Sequence, residues 1–216
     1  MTRPRGPYKV GQERRAAIVT AASAAFADVG YDGVTLAEIA EAADVSLSNL
    51  QHYFPTRRHL LSEVARQRLA DIEQDWTEAA DEPEIHALLE RAVDTLAQMQ
   101  ARPGLVDLAV RVSADAIDPA APAHSWMAEA YARVAQENAT RFAACAEAGQ
   151  LRDGVDPLTA SRTMQAIGDG MELQWALSRH TMDLPGFTAR AIAGFGRAII
   201  APEHLDEERI ARLEAR

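Results

Sequence analysis

Apolar residues return every three or four positions along nearly the whole of this 216-residue chain, while strict alternation, the mark of a half-buried strand, is missing. About a fifth of the residues are alanine, the strongest helix former. An all-α fold is therefore expected, and 48% hydrophobic residues suffice for a real core. A single cysteine, Cys145, excludes a disulfide framework and a multi-cysteine zinc site. No apolar stretch reaches the roughly 18 residues of a membrane span. The basic start, Met1 to Arg15, leads into no apolar signal core, so a cytoplasmic protein without a membrane partner is expected.

Glycine, proline and capping residues divide the chain into about nine helices. The first spans Gln12 to Val29, with Ala17, Ala21, Ala25 and Ile18, Ala22, Phe26 as its buried stripe. Thr35 and Glu38 fit a capping box that opens the second, and Ser46 caps the third, which ends near Tyr53. A long fourth helix runs to Ala80 and stops at Asp81-Glu82-Pro83. Further helices are predicted over 84–101, from Pro103 to Ile117, over 123–148, from Asp156-Pro157, and from Pro185 to Ile200. The expected organisation is a flexible basic arm (1–11), a three-helix domain (12–60), a larger helical lobe (61–200) and a charged tail (201–216) with room for one short helix. Net charge is −10 overall, but +1 over residues 1–60 and −11 over the rest, a mild hint of a polyanion-facing start.

Residues 35–54, TLAEIAEAADVSLSNLQHYF, carry the most information. Leu36, Ile39, Ala40, Val45, Leu50 and Phe54 form the apolar skeleton of a helix-turn-helix. That leaves Leu47, Ser48, Asn49, Gln51 and His52 outward, where a recognition helix meets base edges in the major groove. Asn and Gln pair bidentately with adenine, Ser bonds several edges, and Leu touches a thymine methyl. Thr35 at a helix N-terminus, Tyr53 and Arg57 are the expected phosphate contacts, with Arg3, Arg5 and Lys9 as an arm reaching the duplex. The alternative for the polar residues is a solvated helix face. For Tyr53 it is packing on the first helix, and for the basic cluster a disordered tail.

Residues 12–60 resemble the DNA-binding domain of the tetracycline-repressor (TetR) family. The resemblance lies in Ile18 to Phe26 with Gly30-Tyr31, Val34-Thr35, Ile39-Ala40, Val45-Ser46, His52-Tyr53-Phe54, and Arg57 with Leu60-Leu61. The segment from Ala114 to Trp175 is similar to the lobe of the betaine-regulator branch, without implying that ligand. Two positions depart from the pattern. Asp44 stands where the family usually has Gly, and Ala37 where relatives often carry a polar or basic DNA contact. Asp tolerates the left-handed turn conformation, so the turn is expected to survive.

The resemblance implies a ligand cavity in the second lobe and a homodimer. The pocket candidates are Trp76, Met99, Ser113, Trp126, Tyr131 and Gln174, with Phe142, His86, Gln98 and Gln165 as further possibilities; the alternative is ordinary core. Arg102, Arg111 or Arg141 would have to turn inward to receive a strongly anionic ligand. Phe187, Ala191, Phe195 and Ile199, spaced by four, join Met171 and Trp175 as the dimer candidates; Ile167, Gly168 and Gly170 lie beside them. The alternative is packing within one subunit. Six histidines form no metal pattern, and Cys145 sits among alanines in mid-helix, so no catalytic residue, metal or cofactor is expected. The expected partners are a double-stranded palindromic operator, a second copy and an unidentified small-molecule effector. The expected function is a ligand-responsive repressor. The rivals are an activator, a regulator without effector, an enzyme or carrier with a vestigial helix-turn-helix, and a protein-interaction module.

Overall fold

The computed structural model describes residues 7–78 and 84–216. Its regular structure is helical: α1 (Pro7–Val29), α2 (Leu36–Ala42), α3 (Leu47–Tyr53), α4 (Arg57–Glu78), α5 (Ile85–Met99), α6 (Pro103–Asp115), α7 (His124–Glu147), α8 (Pro157–Leu177), α9 (Leu184–Ile199) and α10 (Glu207–Glu214). A 3-10 turn at Pro202–His204 and one isolated bridge, Leu151 to Ile200, complete it. Among the described residues no helix is long and apolar enough to cross a membrane.

α1 is already helical at Pro7, five residues before the expected start. Proline suits a first turn, because its missing N–H would be unpaired there anyway. Residues 7–11 of the expected arm are therefore helix, while Arg3 and Arg5 lie outside the described residues. Ile18, Ala22 and Phe26 are fully buried against Ile39, Leu50, Phe54 and Leu60. Ala17, expected in that stripe, is exposed.

The same core continues into the second lobe. Leu105, Leu108 and Val112 of α6 are buried with the residues of α1 to α4. At Gly104 the two helices approach so closely that an added Cβ would overlap the Phe26 carbonyl oxygen and lie 3.4 Å from the Ala27 Cα. The Arg102-Pro103-Gly104 break thus opens α6 and seats it on α1. A second core joins α5, α7, α8, α9 and α10 around Leu89, Phe142, Ile192 and Ile210.

The last segment is folded. Ile210 and Leu213, three apart and hence on one face of α10, are buried. The Asp206 N–H donates to His86 Nε2 at 3.2 Å, so His86 Nδ1 carries the proton and donates to Glu84 at 3.0 Å. Arg209 donates to both Glu90 oxygens at 2.9 and 3.0 Å.

One ion pair joins α1 to α4 directly. Arg15 donates to Glu63 at 2.7 Å, and Arg66 donates to it at 2.5 and 3.0 Å. Burial would raise the Glu63 carboxyl, but these two guanidiniums prevail and hold it at about 2. A depressed folded value gives stability that is present above the ordinary range near 4.5 and is lost as pH falls toward 2. Glu63→Gln should lower stability near pH 7 by about 1–2 kcal/mol, allowing for the exposure of both arginines. Urea melts should show the gap from wild type closing on acidification; a gap that is constant down to pH 3 would contradict the pairing.

Candidate nucleic-acid interface and cavity

The turn between α2 and α3 is built from local bonds. The Glu38 N–H donates to Thr35 Oγ1 at 3.3 Å, while the Thr35 N–H and hydroxyl both donate to the Glu38 carboxylate at 2.7 Å. These bonds hold the Glu38 carboxyl below its ordinary value. Asp44 sits at φ 53°, and the Val45 N–H donates to the Ala40 carbonyl at 3.0 Å, closing α2 in the left-handed conformation. Ser46 Oγ then accepts the Asn49 N–H at 3.2 Å and starts α3. Leu50 and Phe54 point into the core, and that fixes the opposite face. Leu47, Ser48, Gln51 and His52 are exposed, and Asn49 and Tyr53 half-buried.

Two of the expected phosphate contacts are occupied by the protein itself. Thr35 spends its amide and hydroxyl on Glu38, because the capping box uses both. Arg57 donates to the Val34 carbonyl at 2.6 Å and to the Tyr31 carbonyl, with its guanidinium 4.9 Å from the Tyr31 ring centre. It clamps the α1–α2 loop instead of extending to solvent. Tyr53 keeps a half-buried ring against the His52 edge, and its hydroxyl lies beside Gly11 of α1. Lys9, two residues earlier on α1, is exposed.

Arg57→Ala should therefore weaken DNA binding through the loop. The expected cost is about 2–3 kcal/mol of stability, since hydrogen bonds from a charged donor count most. The salt slope of DNA binding should stay at the wild-type value, whereas a lost phosphate contact lowers it by about one. Melting and a salt series on the same variant separate the two roles.

A cavity of about 210 Å³ opens between α4, α5, α6, α7 and α8. It brings together Trp76, Met99, Ser113, Trp126 and Tyr131 with Gln165. Gln174 lies outside it, exposed on α8, with its amide on the Gly170 carbonyl at 3.2 Å. Phe142 is buried in the second core, and His86 is engaged with α10. Gln98 and Arg102 line an adjoining groove between α4 and α5. Arg111 stacks on Tyr31 at 4.8 Å, whereas Arg141 does reach the cavity wall. The indole N–H of Trp126 donates to Ser62 at 2.8 Å and that of Trp76 to Thr95 at 2.9 Å.

Sequence reasoning missed five charged residues of this wall: Arg68, Glu73, Glu137, Asp169 and Glu172. The signal was present: Arg68 lies on the apolar stripe of α4 with Leu61, Ala65, Ile72 and Trp76, and Glu172 on that of α8 with Met164 and Trp175. Arg68 Nη2 is buried without a hydrogen-bond partner, 3.8 Å from Glu172. Burial pushes the Glu172 carboxyl up; Arg68 opposes this and Asp169 adds to it. The Tyr131 hydroxyl donates to Asp169 at 3.2 Å, and burial, with Asp169, pushes the phenol up to about 12. Burial likewise raises the Cys145 thiol to about 11, away from nucleophile chemistry.

The expected dimer stripe is split by the fold. Trp175 and Ile199 are buried within the subunit, Met171, Ala191 and Phe195 are half-buried, and Phe187 is 47% exposed. A spacing of four advances about 40° per step around a helix, so a stripe of four such residues drifts from the surface into the core. The exposed large apolar residues of α8 and α9 are Leu158, Leu173, Leu177 and Phe187.

Residues 18–64 match the family described as bacterial regulatory proteins, tetR family. The helix-turn-helix domain is of the TetR type. The HTH-type transcriptional regulator RutR of Escherichia coli K12 is 43% identical over 56 residues, and RutR of Shigella flexneri matches equally. The match spans 26% of this chain and 26% of RutR, about a quarter of the length of either. The likeness of fold runs further. A TetR transcription regulator from Haloarcula marismortui superposes with a TM-score of 0.75 at 18% identity, covering 88% of this chain and 100% of that one. SmeT, the repressor of the SmeDEF multidrug efflux pump of Stenotrophomonas maltophilia, does so with 0.68 at 17% identity, covering 89% and 93%. A complex of SmeT with triclosan gives 0.64 at 19%, covering 89% and 94%. The chain thus shares the helical second lobe with these proteins as fold, at an identity that carries nothing finer.

Proposed function

We propose that this protein is a ligand-responsive repressor of the TetR family that grips a palindromic operator as a homodimer. The observation that carries the reading is α3: a doubly capped turn presents Leu47, Ser48, Asn49, Gln51 and His52 along one outer face, with Tyr53 at its end. These side chains meet base edges, while Tyr53 and Lys9 meet phosphates. Two recognition helices about one DNA turn, ~34 Å, apart require a dimer. Its interface is the α8–α9 face with Leu173, Leu177 and Phe187, where Gly170 and Gly194 border open space.

The effector occupies the cavity, and the triclosan complex of SmeT is a precedent for a small molecule on this fold. α6 is the lever. It lines the cavity through Ala109 and Ser113, is seated on α1 at Gly104, and is tied to α4 by the Arg58–Asp115 pair. An effector that binds one α6 position better than the other shifts the spacing of the two α3 helices.

The test is fluorescence anisotropy on DNA flanking the protein's own gene, across roughly 50–200 mM salt. Selective binding that weakens at least a hundredfold over this range is expected. Unselective or salt-insensitive binding would refute the reading. A compound that fills the cavity yet leaves operator affinity unchanged would refute the effector step alone.

A further inference from the structure

The wall of the cavity is unbalanced in charge. Glu73, Glu137, Asp169 and Glu172 line it against Arg68 and Arg141. Arg133, on α7, donates to Glu73 at 2.6 Å and lies 3.9 Å from Glu137. Arg141 donates to the Asn138 amide oxygen at 2.9 Å and to the Trp76 carbonyl at 3.4 Å. Asp169 and Glu172, one turn apart on α8, then face a single guanidinium, Arg68 of α4. At 3.8 Å from Glu172 it is beyond hydrogen-bond distance. α7 adds the Tyr131 hydroxyl on Asp169, α6 adds Ser113 and α5 adds Thr95, all uncharged.

We propose that this cavity takes a small organic cation, an ammonium on an aromatic or short apolar body, held between Asp169 and Glu172 beside the Tyr131 ring. The proposal rests on the effector reading above and names the chemistry of that effector. With both carboxylates ionised the pocket carries one uncompensated negative charge, which a cation neutralises and an anion would worsen. Trp76, Trp126 and Tyr131 supply the aromatic surface on which such a body packs, and an ammonium over a ring face gains further attraction. The groove between α4 and α5 shares Arg68, Ile72, Trp76, Thr95 and Met99 with the cavity. At about 210 Å³ the space falls below the roughly 300–1,000 Å³ of drug-sized pockets, so a single ring with a short arm is the fitting scale.

Burial pushes the Glu172 carboxyl up, with Asp169 adding and Arg68 opposing. A bound cation favours its ionised form, so binding tightens as pH rises and takes up no proton. A bound anion would take a proton up.

Isothermal titration of the full chain with 2-phenylethylamine, 2-phenylethanol and 3-phenylpropanoate, in two buffers of different ionisation heat, tests this. The amine should bind about tenfold or more tightly than the alcohol, as a charge-assisted contact implies, and without proton uptake. Glu172→Gln and Asp169→Asn should each erase that preference while circular dichroism and melting stay near wild type. The proposal is overturned if the alcohol or the propanoate binds as well as the amine, if binding takes up a proton, or if no probe binds. A preference for the propanoate would reverse the sign of the ligand and leave the effector reading standing. A probe that binds in the cavity without changing operator affinity would defeat the effector reading itself.

Discussion

Leu177→Asp is expected to turn the protein into monomers and to lower operator affinity by about a hundredfold or more. Leu177 is the last residue of α8 and is 76% exposed, so the substitution costs the subunit's own fold little. In the proposed dimer it lies in an apolar patch with Leu173 and Phe187, and a carboxylate there would be desolvated without a partner. Linking two DNA-binding modules raises affinity by roughly 10²–10⁴ over one module, and separating them removes that gain. Ile117→Asp is the matched control: Ile117 is 81% exposed just beyond α6, away from the α8–α9 face. Light scattering should report a dimer for wild type and for Ile117→Asp, and a monomer for Leu177→Asp. A Leu177→Asp dimer with intact DNA affinity would move the interface elsewhere.

Gly104→Ala should destabilise the chain by about 1–3 kcal/mol or more, the range for forcing extra volume into a packed site. For a protein of this size that is a fall in Tm of several degrees. The direction is unusual, since alanine normally stabilises a helix relative to glycine by about 0.5–1 kcal/mol. Here the new methyl overlaps the Phe26 carbonyl and approaches the Ala27 Cα to 3.4 Å, and backbone cannot swing aside as a side-chain tip does. α1 and α6 must separate, which disturbs the core they share around Phe26, Leu105 and Leu108. Gly168→Ala is the contrast: its new methyl would meet only the tip of Leu96 at 3.7 Å, ordinary contact, so it should be neutral or mildly stabilising. Equal effects from both substitutions would contradict the close helix crossing.

The helix-turn-helix was legible because its determinants are local. Thr35, Glu38, Asp44 and Ser46 act on backbone groups within five residues, and Leu50 and Phe54 follow the helical period. Arg57 was not, because its partners Tyr31 and Val34 are 26 and 23 residues away and no period connects them. The α9 stripe misled because a spacing of four looks helical while it drifts off one face. In the second lobe the aromatic wall could be read from large apolar residues, and the apolar stripes mark Arg68 and Glu172 as out of place, but not which way they face. Whether a charge on an apolar stripe faces core, cavity or water depends on how five helices meet.

The most direct test of α3 as the reading element is selection of bound sequences from random double-stranded DNA by wild type and by Asn49→Ala. Wild type should enrich two inverted half-sites about one turn apart, and Asn49→Ala the same pattern relaxed at one symmetric pair of positions, with an unchanged salt slope. No enriched sequence, or an identical one for both proteins together with identical results for Ser48→Ala and Gln51→Ala, would contradict it.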